Sequence, residues 1–388
     1  MSAAMPAAEP PAVEPAAAEP PAAEHQGGAP RSAAEVLAWS RALVDPGLRA
    51  VVDGMPDEVR AVTAYHFGWL DERGRPVAGG GAGKALRPAL ALLSAEAVGG
   101  AAADGLPAAL AVELTHNFSL LHDDVMDRDR TRRHRPTAWS VFGANPAILA
   151  GDALLACAFE SLAGAPSAWP PAGHAPAEHG VAKRVPVEGV LAEGVRTLSR
   201  AVLDLVEGQC ADVSFETRTD VDVPECLRMA EHKTGALLAA SCALGAAYGG
   251  GTPPQIGGLR RFGARIGLAF QLVDDLLGIW GDPAVTGKPV HADLRRRKKS
   301  LPVVAALASG TAAGGELARL YLRDGPLPEG DAARAARLVE EAGGRAWARQ
   351  RARRLKAEAL AELDAAAPVE RPRAELRALA HLVLDRDH

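Results

Sequence analysis

Apolar residues recur along most of the chain at intervals of three and four, the period of an amphipathic α-helix. The pattern starts near residue 32, breaks at Asp45-Pro46-Gly47 and Gly54-Met55-Pro56, and resumes with few gaps towards the C-terminus. The first part predicts short helices separated by these Pro- and Gly-containing breaks. The remainder predicts one large helical domain.

Two segments lack the helical pattern. Residues 1–30 are almost wholly Ala, Pro and Glu, a composition that cannot offset the entropy of ordering, so this tail is predicted to be disordered. Residues 163–187 are rich in Pro, Gly and Ala and predict an exposed loop between two helices. The predicted regions are a tail at 1–30, short helices at 31–74 and a catalytic domain at 75–388 with that loop inserted.

Composition supports an all-α fold and argues against nucleic-acid binding and a membrane span. Ala supplies much of the 48% hydrophobic content and aromatic residues only 4%, which favours closely packed helices. A net charge of -5 argues against a nucleic-acid binder. The longest uncharged segment is mainly apolar only over 236–248, too short for a membrane span of about 30 Å.

Cysteine usage and the N-terminus suggest a cytoplasmic protein. The four cysteines lie far apart without a Cys-x-x-Cys pair, so neither a zinc site nor a disulfide framework is predicted. The first thirty residues lack the basic start and continuous apolar stretch of a signal peptide.

An acidic motif, Asp123-Asp124-Val-Met-Asp127, ends an apolar run. On a helix turning about 100° per residue, Asp123 and Asp127 share a face, with His116 and Ser119 within about 40° of Asp123. Like charges one turn apart are unfavourable unless a cation lies between them, and magnesium prefers such oxygen ligands. A solvated acidic helix face is the alternative for such a motif alone.

A second acidic pair, Asp274-Asp275, ends a later apolar run that includes Phe270-Gln271. Basic residues accompany both acidic motifs, and a Gly-rich stretch at 78–83 precedes another pair of cations. A diphosphate suits this combination because its oxygens bridge metal ions and accept bidentate hydrogen bonds from arginine. The main cations are Lys84, Arg87, Arg128, Arg130, Arg132, Arg133, Arg135, Lys288, Lys298 and Lys299.

Across residues 75–388 these motifs resemble, in order and spacing, those of the trans-polyprenyl diphosphate synthase family. The resemblance implies a single helical bundle of the isoprenoid synthase type around a central active-site cavity. It also implies condensation of isopentenyl diphosphate with an allylic diphosphate such as dimethylallyl, geranyl or farnesyl diphosphate. The matching motifs are Gly83-Lys84-x-x-Arg87-Pro88, the first Asp motif, Arg132-Arg133-x-x-Pro136-Thr137, Gly151-Asp152, Gly208-Gln209, Lys233-Thr234-Gly235, Phe270-Gln271-x-x-Asp274-Asp275 and Gly287-Lys288-Pro289.

The resemblance also implies roles for individual residues. Those that would hold the isopentenyl diphosphate are Lys84, Arg87, His116 and Arg133. Those that would ligate three magnesium ions are Asp123, Asp127 and Asp274, and those that would grip the allylic diphosphate with the metals are Arg132, Lys233 and Lys288. Oxygen dipoles aimed at the carbocation would come from Thr234 and Gln271, and the remaining motif residues in the expected site are Asp124, Asp275 and Lys298.

Two positions depart from the family pattern. Gly278 stands where the second motif usually has its third acid, with Asp282 one turn further on. The resemblance makes the first Asp of this motif the direct ligand, so weaker support for the third metal is expected rather than its loss. Arg297 stands where a glycine is common before Lys298.

Product length is partly readable from the residues before the first motif. Phe118 and Ser119 lie five and four positions before Asp123, where the family shapes the floor of the chain pocket. An aromatic followed by a small residue resembles the pattern that stops at C20, geranylgeranyl diphosphate. C15 farnesyl diphosphate is the close alternative, and Phe118 as an ordinary core aromatic is another.

The N-terminal region resembles cargo-loading tails of proteins packed inside encapsulin shells, with apolar segments at 33–43 and 48–55 on a flexible tether. This predicts a cytoplasmic enzyme, or one inside an encapsulin compartment if the tail loads a shell. A homodimer is expected from the family alone. The rival functions are a class I terpene cyclase and a non-catalytic subunit of a heteromeric prenyltransferase.

Overall fold

The computed structural model describes residues 29–77, 85–163, 188–283, 290–322, 327–366 and 368–384. These residues are helical almost throughout, which confirms the all-α prediction. The helices are α1 (Ala33–Asp53), α2 (Asp57–His66), α3 (Leu86–Ala97), α4 (Leu106–Met126), α5 (Ala138–Phe142), α6 (Ala144–Leu162), α7 (Glu188–Phe215), α8 (Val223–Ala230), α9 (Ala236–Tyr248), α10 (Pro253–Trp280), α11 (Ala292–Arg295), α12 (Leu301–Leu307), α13 (Ala312–Tyr321), α14 (Glu329–Glu341), α15 (Gly344–Ala365) and α16 (Glu370–Leu384).

Four short elements accompany the helices in the described fold. A 3₁₀ turn at Ala102–Gly105 leads into α4, and a π-helical turn at Glu231–Gly235 joins α8 to α9. Strands β1 (Thr131–Arg132) and β2 (Arg135–Pro136) pair antiparallel, with Thr131 opposite Pro136 and Arg132 opposite Arg135.

The helix break predicted at 45–47 is wrong, because α1 continues through Pro46. The start of α1 is fixed by a capping box, in which Ser32 and Glu35 satisfy each other's backbone N–H groups. Gly47 lets the helix approach α4 closely, since a Cβ there would lie 2.9 Å from a methyl carbon of Leu110. Tertiary packing therefore overrides the local break signal of Pro46 and Gly47.

The apolar face of α1 is part of the bundle core. Val36, Val44 and Val52 are fully or almost fully buried. Just before the helix, Arg31 donates to the buried carboxylate of Glu375 on α16 at 2.6 Å. Residues 33–43 and 48–55 are thus packed against the bundle, and a shell-docking role for them requires α1 to detach.

Helices α3 and α9 lie between two large apolar clusters and contribute to both. Leu92 packs in the cluster shared with α4, α6 and α7, whereas the adjacent Leu93 packs with α10 and α16. Small residues let the helices approach closely: a Cβ on Gly245 of α9 would lie 2.0 Å from the carbonyl oxygen of Ala91 on α3. The Ala- and Gly-rich composition therefore reflects tight helix packing.

Several predictions fall outside the described residues. These are the tail at 1–28, the Gly-rich stretch with Lys84, the segment with Lys288, and nearly all of the loop predicted at 163–187, which lies between the end of α6 and the start of α7. Among the described residues, no single helix is both long and apolar enough to cross a membrane. Two consecutive helices, Leu301–Leu307 and Ala312–Tyr321, are long and apolar enough only when they are taken together, and the chain bends by 118° between them.

Candidate active site

The C-terminal end of α4 presents the first acidic motif as two separate groups. Asp123 and Asp127 lie one turn apart on the same face, as the periodicity predicts. Burial raises the pKa of Asp123 to about 6, and the neighbouring Asp127 adds to this, although Lys233 opposes it. The pKa of Asp127 is also raised by burial. A cation is therefore favourable beside this face.

Asp124 has a different environment from its two partners in the motif. Its side chain is 2% exposed, and one carboxylate oxygen accepts from Nε and Nη2 of Arg132 at 2.8 and 2.7 Å. The other oxygen is buried without a hydrogen-bond partner among the described residues. Asp124 therefore anchors Arg132 in this structure.

The hairpin formed by β1 and β2 follows α4 and contains Arg132, Arg133 and Arg135. Its two turn residues, Arg133 and His134, have φ of 51° and 62°. Left-handed conformation at both central positions is that of a type I′ turn, which glycine and asparagine normally occupy. Retaining Arg133 there at a cost of roughly 1–2 kcal/mol suggests a functional constraint.

A basic pocket lies beside this hairpin, between α3 and α4. Arg87 and Arg133 both face the buried carboxylate of Glu113. Burial and the two arginines hold the pKa of His116 well below its usual value, so its imidazole is neutral at pH 7. Arg87 Nε is buried and has no hydrogen-bond partner among the described residues, so it offers a free donor to an anion.

Lys233 approaches the acidic face of α4 from a π-helical turn, a feature frequent at functional sites. Its Nζ donates to Asp212 Oδ2 on α7 at 2.7 Å. Gly208, one turn before Asp212, allows the two elements to meet, because a Cβ there would lie 2.3 Å from the backbone nitrogen of Lys233. Burial alone would raise the pKa of Asp212, but Lys233 and Lys298 lower it overall.

The second acidic motif also divides into two groups. Asp274 is exposed, whereas Asp275 is 3% exposed and accepts from Gln271 Nε2 and from the backbone N–H of Leu301, both at 2.9 Å. Gln271 in turn accepts from the Thr234 hydroxyl at 2.7 Å. Asp275 thus ties α10 to the start of α12 and orients Gln271.

Lys298 links the second motif to the rest of the site. Burial alone would lower the pKa of its ammonium group, but four carboxylates outweigh that effect and raise it. Their contributions are largest for Asp293 and then decrease through Asp275, Asp212 and Asp274. The Lys298 ammonium also opposes the rise in the pKa of Asp127, so its charge acts on carboxylates of both acidic motifs.

The donor set fits magnesium better than another metal. Asp123, Asp127 and Asp274 offer only carboxylate oxygens, which suit magnesium shared with phosphate oxygens. Among the described residues, the one acidic group whose ligand atoms all lie within 4.8 Å of one another is a different set, Asp204, Glu207 and His232. That set includes an imidazole, which magnesium does not favour.

Phe118 and Ser119 lie on α4, about one turn before the first acidic motif. Phe118 is 7% exposed, and its ring packs edge-on against His122 with centroids 4.8 Å apart. The His122 ring fits against α6 because Gly151 has no side chain; a Cβ there would lie 2.4 Å from the ring. Ser119 is buried and donates to the carbonyl oxygen of His116.

Three site residues were not predicted from the sequence. Asp212 lies one turn after the Gly208-Gln209 motif, so its spacing was the available signal. Glu113 and His66 carried no motif, and only the tertiary fold brings them near Arg87 and Arg133.

A family model described as polyprenyl synthetase matches residues 77–339. The chain belongs to the polyprenyl synthetase family. It is therefore a polyprenyl diphosphate synthase, a prenyl-group transferase of the trans class with the all-α fold of that family.

Known members of the polyprenyl synthetase family match most of the chain. A (2E,6E)-farnesyl diphosphate synthase from Mycobacterium tuberculosis is 45% identical over 92% of this chain and 94% of its own. A geranylgeranyl diphosphate synthase from the same species is 45% identical over 80% of this chain and 82% of its own. A polyprenyl synthetase crystal structure from Streptomyces coelicolor has a TM-score of 0.80 at 46% identity, covering 90% of this chain and 98% of its own.

Proposed function

We propose that this synthase condenses isopentenyl diphosphate with dimethylallyl, geranyl or farnesyl diphosphate, using magnesium, and that its main product is C20 geranylgeranyl diphosphate. The observation that supports the proposal is the presence of two separate clusters of charged side chains. One is the basic pocket at Arg87, His116 and Arg133. The other is the pair of acidic motifs bridged by Lys233 and Lys298.

The basic pocket is assigned to isopentenyl diphosphate. Arg87 keeps its charge at neutral pH, since burial lowers the pKa of the guanidinium only to about 10. His116 is neutral and can still donate one N–H to a phosphate oxygen. Lys84 is assigned to the same diphosphate by the sequence resemblance alone.

The acidic motifs are assigned to the allylic diphosphate. Asp123, Asp127 and Asp274 would hold three magnesium ions, which when bound neutralise the charge that develops on the departing pyrophosphate. Arg132, Lys233 and Lys298 add cations around the same oxygens. Lys288 joins this set from the sequence resemblance.

The reaction requires no covalent nucleophile from the protein. The allylic carbon–oxygen bond breaks, the isopentenyl double bond supplies the electrons of the new carbon–carbon bond, and the released pyrophosphate takes the proton. The Thr234–Gln271–Asp275 hydrogen-bond chain fixes the side-chain oxygens of Thr234 and Gln271, so that their dipoles can stabilise the cation without reorganising.

Chain length follows from Phe118 and Ser119. The buried Phe118 ring, braced by His122, is assigned as the floor that stops elongation at C20. C15 farnesyl diphosphate is the second candidate, because a 45% identical relative that matches 92% of this chain is a farnesyl diphosphate synthase.

A homodimer is proposed through the outer face of α6 and α7. Leu149 and Leu203 are 59% and 62% exposed there, and a second copy of the chain on this face would remove these large apolar side chains from water. The segments 33–43 and 48–55 are assigned no shell-loading role, because most of their apolar side chains pack in the bundle core. We place the reaction in the cytoplasm.

The test is incubation of the purified protein with isopentenyl diphosphate and each allylic diphosphate, with and without magnesium, followed by chromatography of the dephosphorylated products. A magnesium-dependent linear C20 alcohol is expected, and a C15 alcohol would select the second candidate. A cyclic hydrocarbon formed without isopentenyl diphosphate would identify a terpene cyclase. Absence of product under every condition would identify a non-catalytic subunit.

A further inference from the structure

A cavity of about 560 Å³ lies between α10 and α15. Its volume is within the range of roughly 300–1,000 Å³ that is typical of small-molecule pockets. At about 100° per residue, the α10 residues that line it are centred about 110° or more around the helix from Asp274 and Asp275. The cavity therefore lies on a different side of α10 from the second acidic motif. These lining residues recur at intervals of three and four and are Val273, Leu276, Leu277 and Trp280.

The α15 wall of the cavity is cationic. Its four cations lie within about 80° of one another around the helix axis. Like charges at these spacings of three and four residues repel one another, so an anion in the cavity would be favourable. Among the described residues that line the cavity, Asp282 is the one acid. The four cations are Arg345, Arg349, Arg353 and Lys356.

The arginines of this wall differ in their partners. The guanidinium carbon of Arg345 lies 4.8 Å from the centroid of the Trp280 ring, and Nη1 donates to Glu340 at 2.8 Å. Within the described ranges, neither Arg349 nor Arg353 makes a hydrogen bond or an ion pair. These two guanidinium groups can therefore donate to phosphate oxygens without first breaking a contact within the protein.

The α10 wall is apolar and only partly covered. Leu276, Leu277 and Trp280 are half-buried, although they lie at the edge of the bundle core. Leu360 of α15 and Leu384 of α16 add further apolar surface to the cavity. An apolar chain placed here would remove this surface from water, which is favourable.

We propose that this cavity binds a single-chain amphiphile, with its apolar chain against α10 and a phosphate head group held by Arg349 and Arg353. A free phosphate ion would leave the apolar wall in contact with water, and an uncharged lipid would leave the two guanidinium groups without an anion. The combination of the two walls therefore selects a ligand that carries both parts. This site is additional to the one that carries the proposed reaction and does not depend on that proposal.

The first experiment measures calorimetric binding of dodecyl phosphate, below its micelle-forming concentration, to the full-length protein in EDTA. Without magnesium, binding of the head group at the acidic motifs is not expected. One molecule should bind per chain. Octyl phosphate should bind roughly tenfold or more weakly, because four fewer methylene groups are buried. Dodecyltrimethylammonium should not bind, and equal affinity for the cationic and anionic amphiphiles would overturn the inference.

Two double variants of α15 locate the head group. Arg349→Gln with Arg353→Gln should weaken binding of dodecyl phosphate by roughly tenfold or more. Arg351→Gln with Arg354→Gln is the matched control, because it removes the same charge from the same helix at positions that do not line the cavity. The control should bind as the unsubstituted protein does. Equal weakening in both variants would mean non-specific attraction to a basic helix and would overturn the inference.

A third variant locates the chain. Ala357 is an exposed residue of α15 that lines the cavity, so Ala357→Trp should fill the space without disturbing the core and abolish binding of dodecyl phosphate. Ala346→Trp, at an exposed position of the same helix outside the cavity, should leave binding unchanged. Unchanged affinity in Ala357→Trp, with a melting temperature equal to that of Ala346→Trp, would contradict the proposed chain site.

A comparison of probes identifies the kind of chain. Farnesyl phosphate and dodecyl phosphate share the proposed chemistry, and the one with the larger loss of affinity in Ala357→Trp shows whether an isoprenoid or an alkyl chain fits better. Binding to phosphatidylglycerol vesicles but to neither soluble probe would assign this surface to a membrane and overturn the inference. If the protein forms no prenyl product, the proposed function fails, and these titrations still decide whether the cavity binds an amphiphile.

Discussion

Arg297 occupies a backbone conformation that favours glycine, with φ at 52°. This conformation explains why glycine is common at this position in the family. A residue with a Cβ is strained there by roughly 1–2 kcal/mol. Its guanidinium donates to the carbonyl oxygen of Tyr321 at 3.0 Å, which offsets part of that strain.

A comparison of two substitutions isolates the strain. Arg297→Gly and Arg297→Ala both remove the hydrogen bond to Tyr321, but only glycine relaxes the backbone. Arg297→Gly should therefore be more stable than Arg297→Ala by about 1 kcal/mol in denaturant unfolding. Equal stability of the two variants would show that the loop is not strained at this position.

The raised pKa of Asp123 predicts a pH-dependent stability. In the folded metal-free protein the pKa of Asp123 is about 6, against 3.8 for an aspartate side chain in the unfolded chain. Asp123 therefore destabilises the fold increasingly as pH rises through that window, fully so above pH 6. Asp123→Asn should be more stable than the unsubstituted protein by about 1 kcal/mol or more at pH 7.5.

The same comparison at pH 4 supplies the control. There Asp123 is largely protonated in the folded protein, so the difference between the two proteins should shrink towards zero. The buried histidines, which are destabilising at acidic pH, cancel because both proteins contain them. A stability gap that stays constant between pH 4 and 7.5 would refute the assignment.

Phe118 and Ser119 predict opposite changes in product length. Phe118→Ala removes the floor of the chain pocket and should shift the main product beyond C20. Ser119→Phe adds a second ring one residue nearer the first motif and should shift it to C15. Chromatography of the dephosphorylated products measures both, and an unchanged product length in both variants would make Phe118 an ordinary core aromatic.

Helix α7 shows how one element can position a cation of the proposed site. Gly208 lets α7 touch the π-helical turn, and Asp212 one turn later holds Lys233. Gly208-Gln209 was one of the motifs that carried the family resemblance. Helical periodicity could not show that Gly208 allows the backbone of α7 to contact Lys233. Such helix-to-helix distances depend on tertiary packing.

Two substitutions in α7 test this contact. Gly208→Ala places a methyl group against the Lys233 backbone, so it should destabilise the protein by about 1–3 kcal/mol. It should also lower kcat roughly tenfold or more by displacing the ammonium group. Gly189→Ala is the control, because nothing lies within 4 Å of a Cβ there. Similar losses in both variants would mean that helix propensity, not the contact, is responsible.

The element boundaries show what local pattern predicts and what it misses. The shared face of Asp123 and Asp127 could be predicted because helical spacing alone determines it. The continuous α1 could not, because packing against α4 overrides the signal of Pro46-Gly47. The different environments of Asp274 and Asp275 could not be predicted either, because the buried Asp275 accepts a hydrogen bond from the backbone N–H of Leu301, which is distant in sequence.

At the scale of the whole molecule, the proposed site draws its residues from the ends of α4 and α10, the side of α7, and the segments that follow them. The resemblance of ordered motifs predicted the all-α fold correctly, whereas the grouping of the site residues stays a prediction. The bundle also includes α1, which the sequence assigned to a possible docking region.

The central claim is that two separate groups bind two different diphosphates. Its most direct test is steady-state kinetics of Arg87→Gln and Asp274→Asn with each substrate varied in turn. Arg87→Gln should raise the KM for isopentenyl diphosphate by roughly tenfold or more and leave that for the allylic substrate unchanged. Asp274→Asn should lower kcat/KM for the allylic substrate and require more magnesium. An allylic KM raised by Arg87→Gln, or an unchanged magnesium requirement in Asp274→Asn, would contradict the two-site account.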